Sequence, residues 1–158
     1  MSATQLEHVC VEIALTIPDN EAGTAAATLR RIGVAVDRLE RADLYVMEAE
    51  PGTSPDALGD SLRHIETLFN PNKHRLRTRG AAPEPGEVWI HERAHGAEEP
   101  EEGPVRVAGR TLPGVRSIER FTLWRLRDAS GAAAAPETVT RATETLLCNP
   151  AFQVATTR

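Results

Sequence analysis

A tandem of two α+β units, each combining antiparallel strands with helices, is the fold class this sequence predicts. Three observations predict it. The run Leu39-Glu40-Arg41-Ala42-Asp43-Leu44-Tyr45 returns as Ile118-Glu119-Arg120-Phe121-Thr122-Leu123-Trp124, and each run follows a Gly-Val pair, Gly33-Val34 and Gly114-Val115. Each half then ends a helix-like segment at an Asn-Pro, Thr67-Leu68-Phe69-Asn70-Pro71 and Thr145-Leu146-Leu147-Cys148-Asn149-Pro150. Between these landmarks, strand-period and helix-period apolar patterns succeed one another. With two copies, the expected arrangement is a pseudo-two-fold duplication and not a solenoid. The units are residues 8–79 and 87–158, joined by a linker over 80–86.

Element by element, Val9, Val11, Ile13, Leu15 and Ile17 alternate, the signature of a half-buried strand. Asp19 and Glu21 supply a cap and favourable dipole charge for a helix carrying Ala22, Ala25, Leu29 and Ile32, which Gly33 ends. Residues 34–49 form the next extended stretch, whose polar middle, Glu40 to Asp43, is compatible with a bulge or a tight bend. The first unit therefore reads β-α-β-α-β, or β-α-β-β-α-β if this stretch folds back. Leu58, Leu62, Ile65 and Phe69 make one apolar stripe on a second helix, and Asn70-Pro71 stops it. Residues 73–79 form a closing strand. The second unit restarts with a weaker strand over 87–91, an acidic loop over 98–103 and a poor helix candidate over 105–112. It recovers with a strand over 115–126 and a helix carrying Val139, Ala142 and Leu146.

Composition narrows the function classes. The net charge of −5 argues against a general nucleic-acid binder. Only Lys73 among the 18 basic residues is a lysine, so no Gly-Lys-Ser/Thr phosphate loop exists. No apolar run reaches the ~20 residues of a membrane span, and no signal-peptide pattern precedes residue 8. Cys10 and Cys148 share no metal or redox spacing, so a reduced, cytoplasmic chain is expected.

Several motifs carry possible chemistry. His91-Glu92-Arg93-Ala94-His95 matches the H-E-x-x-H pattern of zinc hydrolases, which needs a helix to bring both imidazoles to one metal. Pro85-Gly86, Gly96 and the strand-forming Val88-Trp89-Ile90 predict a strand instead, on which the two histidines would lie ~13 Å apart. No metal site is therefore expected. Lys73, Arg75, Arg77 and Arg79 alternate along one strand, either as a charged edge that resists aggregation or as an edge for an acidic partner. Glu40-Arg41 and Glu119-Arg120 recur at one place in both units. No base or nucleophile stands beside them, so they are expected to serve structure or partner binding. Cys10 is expected to be packed and not reactive.

Val36-Asp37-Arg38-Leu39-Glu40-Arg41-Ala42-Asp43-Leu44-Tyr45-Val46-Met47-Glu48-Ala49, followed by a helix, resembles the PurS family. It is also similar to the N-terminal domain of the large formylglycinamidine ribonucleotide synthase, which carries two PurS-like units in one chain. Small PurS proteins end a helix in Leu-x-Asn-Pro, as Leu68-Phe69-Asn70-Pro71 and Leu147-Cys148-Asn149-Pro150 do here. The resemblance is firmest over residues 9–79 and 114–158 and departs from the family over 87–112. It implies two ferredoxin-like-related units that act as a clamp without catalytic residues. The clamp would assemble an ATP-dependent, PurL-like synthetase with a PurQ-like glutaminase so that ammonia passes between their sites. ATP and magnesium would belong to the synthetase, leaving this chain without a cofactor. A homodimer is compatible with this reading; nucleic acid and membrane are not expected partners. A second class stays open: a free-standing ferredoxin-like module that binds a small metabolite between its repeats.

Overall fold

The structure, a computed structural model, describes residues 5–93 and 105–158. The acidic loop expected over 98–103 lies outside the described residues, as does His95. Strand β1, Glu7–Leu15, turns Val9, Val11 and Ile13 into an apolar cluster, as its alternation predicts. Cys10, Glu12 and Ala14 on its other face are buried as well, so the strand is not half-buried, and Ile17 beyond its end is 49% exposed.

Helix α1, Asn20–Arg31, starts where Asp19 accepts hydrogen bonds from the Glu21 and Ala22 amides, at 3.0 and 3.2 Å. It buries Ala22, Ala26 and Leu29, while Ile32, just past its end, stays 46% exposed. Strand β2, Arg38–Ala49, is continuous through the polar stretch Glu40 to Asp43. That stretch is therefore not a fold-back, and the first half reads β-α-β-α-β. Helix α2, Pro55–Arg63, is capped by Ser54 and turns Leu58 and Leu62 inward. It ends before the apolar stripe does. Ile65 is buried in the turn that follows, where its carbonyl accepts from the Leu68 and Phe69 amides.

The remaining elements are β3 (His74–Arg79), β4 (Glu87–Glu92), β5 (Arg106–Val107), β6 (Arg110–Thr111), β7 (Val115–Arg127), α3 (Pro136–Ala142), a π-helical segment (Thr143–Leu147) and β8 (Gln153–Thr157). The helix candidate over 105–112 is a β5–β6 hairpin. Ala108 and Gly109 both take positive φ, at 48° and 79°, which closes a two-residue turn that a helix cannot contain. In the last helix the wide turn, with the Cys148 amide bonded to Thr143 carbonyl at 3.1 Å, shifts the inward face by one position. Leu147 is buried and Leu146 is 40% exposed, contrary to the regular spacing expected from Val139 and Ala142.

The two Asn-Pro turns have the same internal bonding. Asn70 accepts on its side-chain oxygen from the Asn72 amide at 2.9 Å, and its own amide donates to His74 Nδ1 at 2.9 Å. Asn149 accepts in the same way from Ala151 at 3.1 Å, and its amide donates to the Gln153 side-chain oxygen at 2.9 Å. In each turn the Asn carbonyl also accepts from the amide four residues on, at 2.8 Å. The asparagine side chain thereby substitutes for a backbone acceptor, which is why Asn precedes each strand.

The chain is α+β, with an antiparallel six-stranded sheet in the order β3-β1-β2-β7-β4-β8 and a separate β5–β6 pair. It divides into two compact units, neither a contiguous half of the sequence. The first unit takes its described residues from Met1–Thr16, Asp43–Ala81 and Gly96–Arg120. Its core joins Val11, Ile13, Met47, Leu58, Leu62 and Val115. The second takes them from Ile17–Ala42, Ala82–His95 and Phe121–Arg158, and its core joins Leu29, Val36, Val88, Trp124, Leu126 and Val139. Gly86, at the end of the expected linker, is required there. Its φ is +81° and a Cβ would sit 2.8 Å from the Leu126 carbonyl oxygen.

Candidate functional site

The recurring dipeptides fall in different units, Glu40-Arg41 in the second and Glu119-Arg120 in the first. Each has its own surroundings. Adjacent residues on a strand point to opposite faces, so Glu40 and Arg41 part company at once. Arg41 turns toward α1, where Nε and Nη2 donate to the two Asp19 carboxylate oxygens at 2.9 and 3.2 Å and Nη1 pairs with Glu21. Its guanidinium carbon lies 5.8 Å from the centroid of the Trp124 ring. Asp19 thus caps the helix and holds Arg41 through a two-pronged pair. Burial pushes the Arg41 guanidinium pKa down, but the bond to Glu21 and the charge of Asp19 outweigh it, and the net shift is upward.

Glu40 meets arginines on the other face. Arg38 reaches it at 3.1 Å, Arg125 at 3.4 Å and Arg127 at 3.9 Å. Arg125 also donates to the buried Glu87 at 2.8 Å, and Glu87 accepts from the Glu84 amide at 2.9 Å. In the first unit, Arg120 pairs with Asp43 at 3.0 Å with its side chain 64% exposed. The Asp43 hydrogen bond and charge raise its pKa. Glu119 is exposed and has no ion pair among the described residues. Three of the four singled-out residues, Glu40, Arg41 and Arg120, are therefore held in ion pairs within the fold, and Arg120 and Glu119 are the two that stay exposed.

Sequence reasoning also missed a deeply buried ion pair between β1 and β3. Glu12 on β1 lies opposite Arg77 on β3 and accepts from it at 2.6 and 3.3 Å, and from Arg79 at 3.3 Å. The Glu12 and Arg79 side chains are 3% and 4% exposed, against 54% for Arg77. The alternating basic strand is thus partly a buried counter-charge and not only a solvated edge. A glutamate flanked by Val11 and Ile13 was the available signal. His91 and Glu92 lie on β4, where the His91 ring packs 4.8 Å from the Phe121 ring. Among the described residues no group of metal-ligating side chains converges. Cys10 is buried, as expected. The second unit also holds a cleft of about 260 Å³ lined by Glu84, Pro85, Val139, Thr140, Thr157 and Arg158. That is below the usual volume of a ligand pocket.

Tyr45, the chain's one tyrosine, is 6% exposed beside this Asp43–Arg120 pair. Burial raises its pKa, the Asp43 charge adds to the rise, and Arg120 opposes it. The folded state therefore favours the neutral phenol. Its contribution to stability is complete below the unfolded value of about 10 and is lost as pH rises through the higher folded value. Arg120→Met should move the Tyr45 transition further up in an ultraviolet titration. An unchanged or lowered transition would show that Arg120 does not act on the ring.

Fold and site together define an α+β chain whose recurring charged residues are mostly held in intramolecular ion pairs. No protein-family model matches the sequence, and no curated protein does.

Proposed function

We propose that this chain is a non-catalytic assembly subunit of a phosphoribosylformylglycinamidine synthase-like, ATP-dependent amidotransferase complex. It would serve purine or purine-related nucleoside biosynthesis by bridging synthetase and glutaminase, with its two halves acting as PurS-like repeats. The observation that carries this reading is the matched pair of Asn-Pro turns, which share side-chain and backbone bonding at corresponding residues. Strand order supports it too. With β1, β2 and β3 matched to β4, β7 and β8, the order β3-β1-β2-β7-β4-β8 reads the same from either edge. A duplication predicts that palindrome. Fusing the repeats makes their association intramolecular, which favours a permanent platform over a dissociating one. In this reading the β5–β6 hairpin stands where a second copy of α1 would be.

Reconstitution tests the proposal. Synthetase and glutaminase subunits from the same cell should co-purify with this chain, and glutamine-dependent ATP turnover should require it. The chain alone should hydrolyse neither glutamine nor ATP. Full glutamine-dependent turnover without the chain, or no association with either enzyme, would overturn the reading. The metabolite-module alternative would place a small ligand between the repeats. It would be favoured by saturable binding of a small metabolite to the isolated chain.

A further inference from the structure

The two edges of the six-stranded sheet are unlike. Edge strand β3 carries Arg75, Arg77 and Arg79, with Lys73 just before it, and charge of one sign blunts an edge against self-pairing. Edge strand β8 reads Gln153-Val154-Ala155-Thr156-Thr157, with no charge and two β-branched threonines and a valine. Phe152 at its start is 52% exposed and Val154 is 41% exposed.

The register shows which backbone groups are free. Arg93 donates to the Phe152 carbonyl at 2.7 Å, and β8 pairs with β4 so that His91 faces Val154 and Trp89 faces Thr156. In an antiparallel ladder, hydrogen-bonded pairs alternate. Phe152, Val154 and Thr156 therefore bond toward β4, and Gln153, Ala155 and Thr157 direct their backbone groups outward. The Gln153 amide is taken by the Asn149 carbonyl at 2.8 Å. The Ala155 N–H and C=O, the Thr157 N–H and the Gln153 C=O have no hydrogen-bond partner among the described residues.

We propose that β8 pairs antiparallel with β8 of a second copy of this chain, about a two-fold axis at Ala155. The free groups fit that pairing. The two Ala155 residues exchange N–H and C=O, and each Thr157 N–H meets the Gln153 carbonyl of the other copy, so the occupied Gln153 amide is not needed. The side chains match as well. Val154 lies opposite Thr156 of the second copy, and exposed Phe152 lies opposite Arg158, a cation over an aromatic face. A foreign strand would find no charge on β8 to select it, whereas the second copy takes the Gln153 carbonyl, both Ala155 groups and the Thr157 N–H by symmetry, leaving the Thr157 carbonyl to solvent. The contact is isologous and consumes the β8 edge, and β3 repels its like, so association stops at two copies. A five-residue edge is smaller than a standard interface, which makes the dimer concentration-dependent. None of this depends on the function proposed above.

Sedimentation of the full chain across a concentration series tests the pairing. The wild type should approach twice the monomer mass as concentration rises. Ala155→Pro removes an outward N–H without touching the β4 ladder, and should hold the chain at monomer mass. The double change Val154→Lys with Thr156→Lys sets like charges opposite each other on exposed positions and should do the same. Circular dichroism confirms that each variant is folded, and if proline unfolds the chain, the lysine variant decides. A wild type that stays monomeric, including one that accepts only a strand from another protein, would overturn the proposal. So would a dimer that survives the folded variants.

Discussion

Replacing Arg79 with methionine is expected to destabilise the first unit by about 3–5 kcal/mol, the usual cost of stripping one partner from a buried ion pair. Glu12 would keep Arg77, but that arginine is 54% exposed, and Glu12 itself is 3% exposed between Val11 and Ile13. A carboxylate so placed has almost no water to fall back on. The companion variant separates the pair from its desolvation. Glu12→Leu combined with Arg79→Met replaces both charges by apolar groups of similar volume, and should recover most of the loss. Chemical denaturation of the wild type, both single variants and the double variant measures the cycle. Additive single losses, with no recovery in the double variant, would show that the two residues act independently.

Arg41→Glu is the second large effect, and it acts on the fold. The substituted carboxylate would face Asp19 and Glu21, the two acids that Arg41 now neutralises, and would lose the Trp124 face. Asp19 also caps α1, so repulsion there weakens the helix start. The expected loss is about 2–3 kcal/mol, below that of a fully buried pair because Arg41 is 27% and Glu21 68% exposed. Arg120→Glu makes the contrast. That side chain is 64% exposed and its partner Asp43 is 40% exposed, so its loss should stay below about 1 kcal/mol. Thermal unfolding of both variants checks the difference. Arg120 with Glu119 is therefore the cleaner probe of partner association, since a binding defect in Arg120→Glu would not reflect unfolding. Equal destabilisation by both substitutions would erase this distinction.

Arg41 and Arg120 show how far the sequence could be read. Their matching positions in two similar runs were visible, and both lie on long strands, β2 and β7. Their different environments were not visible. Arg41 finds Asp19 and Glu21 because α1 presents its N-terminus there, 22 and 20 positions earlier in the chain. In the second half the hairpin β5–β6 provides no such helix start, and Arg120 takes Asp43 instead. Tertiary packing assigns the partner, and spacing along the chain cannot.

What the sequence determined by itself was local: the strand alternation of Val9 to Ile13, the Asp19 cap, the helix stop at Gly33 and the two Asn-Pro turns. Each of these rests on a hydrogen bond or an apolar period within a few residues, so neighbours suffice to specify it. Only the tertiary structure decided that β2 runs unbroken through Glu40 to Asp43, that residues 106–111 pair as strands, and that Leu147 replaces Leu146 in the core. It also decided that Glu12 is buried, because its counter-charge, Arg77, sits 65 positions away on a strand brought alongside by register. A charge is affordable inside a protein only when the whole fold delivers its partner, and no local pattern carries that information.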